Sequence, residues 1–152
     1  MIALACDHGG FELMKGVRSF LDEGGFAYMD FGTFSPESCD YPEFAAIAAR
    51  AITGGDCDRG IFICGTGIGI SIAANKIPGI RAAVCFDHYT VEMARRHNDA
   101  NVLALGARVV DPGLAIEIVG LFLSTDFDTS GRHSRRVEML NDLDKLRPGN
   151  QR

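Results

Sequence analysis

Two hydrophobic patterns alternate along the chain. Short runs such as IALAC at 2–6 and GIFIC at 60–64 are apolar almost throughout, and between them lie longer stretches whose apolar residues return every three or four positions. A short continuous run suits a strand covered on both faces of a parallel sheet, and the longer period suits a helix with one buried stripe. Strands are therefore predicted over 2–6, 26–31, 60–64, 81–85 and 102–105, and helices over 10–23, 42–53, 67–75, 89–97, 112–124 and 132–145. Such alternation predicts an α/β fold, a three-layer α/β/α sandwich on a five-stranded parallel sheet, with the strand order left open. A chain of 152 residues supports one sizeable core. One domain over 1–147 is expected, followed by a frayed tail over 148–152.

In open sheets of this kind ligands collect at the carboxyl ends of the strands. The residues there are Cys6-Asp7-His8-Gly9-Gly10, Cys64-Gly65-Thr66-Gly67, Cys85-Phe86-Asp87-His88 and Gly106-Ala107-Arg108, so reactive side chains are expected to gather at one rim. The stretch CGTGIGIS at 64–71 is the most informative of these. Glycines at 65, 67 and 69 let the backbone turn several N–H groups toward one point, which favours negative charge, either a permanent phosphate or a transient oxyanion. The stretch lacks the Gly-Lys-Ser/Thr of a P-loop, and its alternate glycines do not fit G-x-G-x-x-G. An oxyanion site beside Cys64 remains, with that thiol as a general base; the alternative is a small buried hydrophobe ending a strand, its glycines serving tight packing. Cys6, Cys39, Cys57 and Cys85 precede no such loop and are read as structural.

Charge narrows the partners. Fifteen Lys and Arg against twenty Asp and Glu give a formal charge of −5, which argues against nucleic acid and leaves a small, locally held anion. Five cysteines with no CxxC pair fit neither a disulfide framework nor a zinc ribbon, and point to reduced thiols in the cytoplasm. The N-terminus does not resemble a signal peptide, and no apolar run approaches the roughly 18 to 20 residues that span a bilayer, so no membrane partner is expected. Arg132 and Arg136 stand four apart on one predicted helix face and, with Arg108, form a candidate phosphate clamp; a solvated basic face is the other reading. His8 beside Asp7 is a candidate donor to substrate or phosphate, or a capping residue. His97 falls at a predicted helix C-terminus, where the dipole favours imidazolium and hence an acid. Asn98 either holds an intermediate's oxygen or caps that helix. His88 and His133 are read as structural or peripheral.

Six motifs in register, CDHGG at 6–10, DYP at 40–42, ICGTGIGISIAANK at 63–76, GIRAA at 79–83, RHNDANVLALGARV at 96–109 and GRHSRRV at 131–137, resemble the family of ribose-5-phosphate isomerase B and the galactose-6-phosphate isomerase subunits. The resemblance covers nearly the whole chain. It implies a Rossmann-like aldose–ketose isomerase that needs neither a metal nor a redox cofactor. It also implies homodimers, in some members paired into homotetramers, with active sites at the subunit interface. Carried over by position, it makes Cys64 the enediolate base and Thr66 an aid to proton relay. Gly65, Gly67 and Gly69 become the anion hole, and Asn98 an intermediate-binding residue. His97 becomes the ring-opening acid or base with Asp7 opposite; His8, Arg108, Arg132 and Arg136 become the phosphate clamp, and Tyr41 a pocket wall. Some members pair a glutamate base with serine in place of the cysteine; here Cys64 is present and the corresponding loop position is Asn75, which implies the thiol version. The substrate implied is ribose 5-phosphate with ribulose 5-phosphate, the alternatives being a hexose 6-phosphate such as allose or galactose 6-phosphate, or a noncatalytic sugar-phosphate sensor.

Overall fold

The computed structural model describes residues 1–146, so the tail expected over 148–152 lies outside the described residues. Five strands, β1 (Ile2–Cys6), β2 (Tyr28–Asp30), β3 (Arg59–Cys64), β4 (Ala82–Val84) and β5 (Val102–Gly106), pair in parallel in the order β2-β1-β3-β5-β4. Six helices connect or follow them: α1 (Phe11–Glu23), α2 (Tyr41–Thr53), α3 (Ile68–Ala74), α4 (His88–Asn98), α5 (Pro112–Ser124) and α6 (Arg132–Asp144). The three central strands are the continuous apolar runs, and every residue of β1 and β5 is buried. The edge strands are shorter than predicted. Residues 26–31 reduce to Tyr28–Asp30 and 81–85 to Ala82–Val84, because an edge strand has a hydrogen-bonding neighbour on one side only. A largely buried ion pair, Arg18 to Asp30 at 2.6 Å, ties α1 to β2.

Strand parity sorts the core into two layers. Leu4, Cys6, Ile61, Ile63, Leu103 and Leu105 pack with α1, α4 and α5 on one face. Ala3, Ala5, Phe62, Cys64, Val102 and Ala104 face α2 and α3 on the other. α2 buries Ala45, Ala48 and Ala49 completely, and these small side chains meet the alanines of β1 in the same layer. From β1 the chain crosses outward to β2, whereas from β3 it crosses the other way to β4. The gap between β1 and β3 is the point where connections diverge, and it opens a crevice at the carboxyl ends of those strands. No helix among the described residues is long and apolar enough to cross a membrane.

Candidate active site

At that crevice the loop after β3 lies against the loop after β1. Cys64 ends β3, is 4% exposed, and takes a hydrogen bond at its Sγ from the Gly67 N–H at 3.1 Å. A thiolate accepts such a bond better than a thiol does. Gly67 has φ +76, and a Cβ there would come within 2.9 Å of the Leu105 carbonyl carbon, so geometry and space both require glycine. Two backbone bonds pin the loop to the end of β5: Ala107 N–H to the Cys64 carbonyl at 2.9 Å and Arg108 N–H to the Gly65 carbonyl at 3.0 Å. The Arg108 guanidinium lies over Gly65, 3.4 Å from where a Cβ would stand. On the helical side of the loop, Gly69 faces the Tyr41 ring so closely that a Cβ would reach within 2.6 Å of it. Thr66 stays exposed, its hydroxyl accepting from the Ile68 N–H at 3.3 Å.

From the β1 side come Asp7 and His8. Asp7 is 6% exposed and accepts at Oδ1 from the Gly10 N–H at 3.1 Å. A Cβ at Gly9 would touch both Asp7 Oδ1 and Gly65 N, at 3.2 and 3.0 Å, so this carboxylate borders the glycine loop. His8 accepts at Nδ1 from the Cys39 N–H at 3.2 Å, which leaves Nε2 as its free donor position. Asp7, His8, Tyr41, Cys64, Gly65, Thr66, Gly67, Gly69 and Arg108 thus share one crevice.

His97, Asn98, Arg132 and Arg136 do not join them in the same chain. α4 starts at the carboxyl edge of the sheet and runs back over eleven residues, roughly 16 Å, so His97 and Asn98 fall at the amino edge. There the Arg81 Nε donates to the Asn98 carbonyl at 3.2 Å. α6 crosses this same edge: His133 in its first turn stacks on His97, ring centroids 4.1 Å apart and planes within 4°, and Asp144 in its last accepts from the Gly79 N–H at 2.6 Å. Arg132 and Arg136 therefore accompany His97, and Arg108 stays with Cys64.

Asn75, matched by position to the glutamate of some family members, lies away from the glycine loop. It stands beyond α3 at the far end from the glycine loop, its Nδ2 donating to the Ala82 carbonyl at 2.9 Å and its Oδ1 accepting from the Ala82 N–H at 2.8 Å. It steadies the edge strand and does not occupy a base position.

Burial acts on three of the other thiols. It pushes Cys6 up to about 12, helped by the Asp30 charge, and Cys85 up to about 11, and it raises Cys57. All three remain thiols at neutral pH. His88 pairs with Glu117 at 2.9 Å on an exposed face.

His133, read from sequence as structural or peripheral, is buried against His97. Burial first, then the charges of His97 and Arg132, hold its pKa below 6.5, with Asp128 opposing. The folded state then binds fewer protons than the unfolded one, so this contribution to stability is complete above 6.5 and is lost as pH falls through the depressed value. On acidification from about pH 7 to about pH 5.5 the unfolding temperature drops, and His133→Gln flattens that dependence. A slope identical in the two proteins would show that the ring does not titrate in this way.

The chain matches the family model described as Ribose/Galactose Isomerase over residues 2–140. It belongs to the ribose/galactose isomerase family. Ribose-5-phosphate isomerase B of Escherichia coli K12 is 49% identical over 146 residues, covering 96% of this chain and 97% of that protein. D-erythrulose-4-phosphate isomerase of Pectobacterium atrosepticum is 43% identical, with 86% of each chain covered. Among solved structures, ribose-5-phosphate isomerase B of Clostridium thermocellum superposes with a TM-score of 0.93 at 52% identity, covering 95% of this chain and 97% of that one. The Mycoplasma genitalium enzyme, solved with bound ribulose-5-phosphate, gives 0.90 at 38%, covering 96% and 97%. As a ribose/galactose isomerase the chain is an enzyme, and its Rossmann-like sheet is the family's.

Proposed function

We propose that this chain interconverts ribose 5-phosphate and ribulose 5-phosphate through a cis-enediolate, with Cys64 as the base. The observation that carries the reading is the Gly67 N–H held 3.1 Å from the Cys64 sulfur, in a loop lodged between Asp7-His8 and Arg108. Cys64 takes the proton from C2 of the open-chain aldose and returns it to C1. Meanwhile the proton of the 2-hydroxyl passes to O1, with Thr66 positioned to relay it, and the carbonyl ends at C2. Charge that develops on the enediolate oxygens is met by N–H groups of the Gly65–Gly69 stretch.

The remaining roles require a second copy. His97 opens the furanose ring with Asp7 opposite, Asn98 holds an oxygen of the intermediate, and Arg132 and Arg136 bind the phosphate with His8 and Arg108; Tyr41 walls the pocket. Because the two groups of residues lie at opposite edges of one sheet, a single chain cannot close the site around a sugar phosphate. In a two-fold pair the crevice of each copy meets the His97 edge of the other, making two equal sites, each built by a single domain over 1–147 from either copy. Phosphate binding then orients C1 and C2 against the sulfur.

Purified protein stripped of metal is expected to form ribulose 5-phosphate from ribose 5-phosphate and to take up solvent deuterium at the carbons between which the proton moves. Side-by-side kcat/KM values for ribose 5-phosphate, allose 6-phosphate and galactose 6-phosphate fix the substrate. Neither turnover nor exchange with any pentose or hexose phosphate would defeat the reading.

A further inference from the structure

One residue at the amino edge has an unusual backbone. Asp99, directly after Asn98, has φ +45 and ψ +44, and no other non-glycine among the described residues has positive φ. The left-handed turn ends α4, with the Asp99 N–H donating to the Arg95 carbonyl at 3.1 Å and the Ala100 N–H to the Ala94 carbonyl at 3.0 Å. Helices usually assign this position to glycine, which has no Cβ to strain. Here an aspartate holds it, and its carboxylate has work beyond stopping a helix.

That carboxylate sits between two guanidiniums. Oδ1 accepts from Arg95 at 2.9 Å and Oδ2 from Arg81 at 2.9 Å. Arg95 is 4% exposed and is further held by the Ala100 carbonyl at 2.7 Å and the Thr125 carbonyl at 3.2 Å. Arg81, leading into β4, also grips the Asp99 carbonyl at 2.8 Å, the Asn98 carbonyl at 3.2 Å and, on α6, the Asn141 side chain at 3.0 Å. The buckle thus fastens the end of α4, the start of β4 and α6 together, one residue from Asn98 and two from His97.

We propose that Asp99 is a positioning residue: through its left-handed turn and its paired guanidiniums it fixes the direction of the His97 ring. This rests on the reading of His97 as the ring-opening group. The buckle acts on ring opening through His97, whereas no bond of the buckle reaches the Cys64 loop, which is pinned by Ala107 and Arg108. Ribulose 5-phosphate separates the steps. Its O5 carries the phosphate, so it cannot close a furanose ring, and deuterium enters its C1 by enediolate formation alone.

In Asp99→Ala, kcat/KM for ribose 5-phosphate falls about 30-fold, as a small misplacement of a catalytic group produces. Deuterium entry into ribulose 5-phosphate stays within about 3-fold of wild type. Asp99→Asn, which tolerates the left-handed turn and can still accept from one guanidinium, recovers most of the loss. In the NMR spectrum the His97 and His133 ring resonances move in Asp99→Ala while those of His8 stay. Should Asp99→Ala not yield folded protein, Arg81→Gln, which opens the more exposed arm of the buckle, gives the same split. Equal losses in turnover and exchange, no loss in turnover, or an unmoved His97 ring would each overturn the proposal. His97→Ala run in parallel keeps the two ideas apart: if it fails to split turnover from exchange, the assignment of His97 is wrong; if it splits them and Asp99→Ala does not, only the positioning role falls.

Discussion

Cys64→Ala lowers kcat for ribose 5-phosphate by about 100-fold or more, the usual loss when a general base is removed. A factor of 100 corresponds to about 2.7 kcal/mol of transition-state stabilisation. Substrate affinity is expected to stay nearly intact, because the proposed phosphate clamp is made by His8 and the arginines, none of which the sulfur supports. Stability is also largely spared: the side chain is small, and the loop remains pinned by Ala107 and Arg108 through backbone bonds that no substitution at 64 removes. The effect should therefore appear in kcat, with KM and unfolding temperature close to wild type, and deuterium uptake should vanish with turnover. Near-normal turnover would remove Cys64 from the reaction and leave it a buried strand-end residue. A parallel fall in stability would instead mean that the Gly67 contact is structural.

The second large effect concerns two inactive proteins that repair each other. Arg136→Ala is expected to weaken substrate binding, by about 2 to 5 kcal/mol if the exposed guanidinium becomes buried against the phosphate in the assembled site. Alone, each of Cys64→Ala and Arg136→Ala is nearly dead at limiting substrate. Co-expressed in equal amounts, half the pairs are mixed, and in each mixed pair one site combines an intact Cys64 loop with an intact Arg136. About a quarter of wild-type activity should return from this two-fold arrangement. If both residues served one site within one chain, mixing would restore nothing. The experiment needs no knowledge of the interface, since it follows only from α4 and α6 delivering their ends to the edge opposite Cys64.

The parts of this architecture that local pattern could reveal are those in which every residue of an element meets the same environment. β1, β3 and β5 are buried on both faces, so their apolar runs are unbroken and their bounds were readable to a residue or so. α5 begins with Pro112 after the capping Asp111 and ends at Ser124, as its pattern predicts. β2 was overextended because Phe26 is apolar for another reason: it stacks on Phe20 of α1, centroids 6.2 Å apart, outside the strand. The glycine loop was legible through its spacing. What remained hidden depends on residues far apart in sequence. Nothing near His133 signals that it will stack on His97, and nothing near His97 says which edge it reaches until the helix is laid on the sheet. Asp99 offered a faint local cue, an Asn-Asp pair at a helix end, although its two arginine partners could be found only in three dimensions.

The alanine layer beneath α2 sets a dimension of the enzyme. Ala45, Ala48 and Ala49 lie on a sheet face that itself presents Ala3 and Ala5, so helix and sheet meet here through methyl groups alone. Tyr41, the first residue of that helix, rests on Gly69. The clearance between the tyrosine ring and the glycine stretch is thus gauged by methyl groups more than a turn away, and a bulkier residue anywhere among them would lift the ring from Gly69 without altering any residue of the crevice itself.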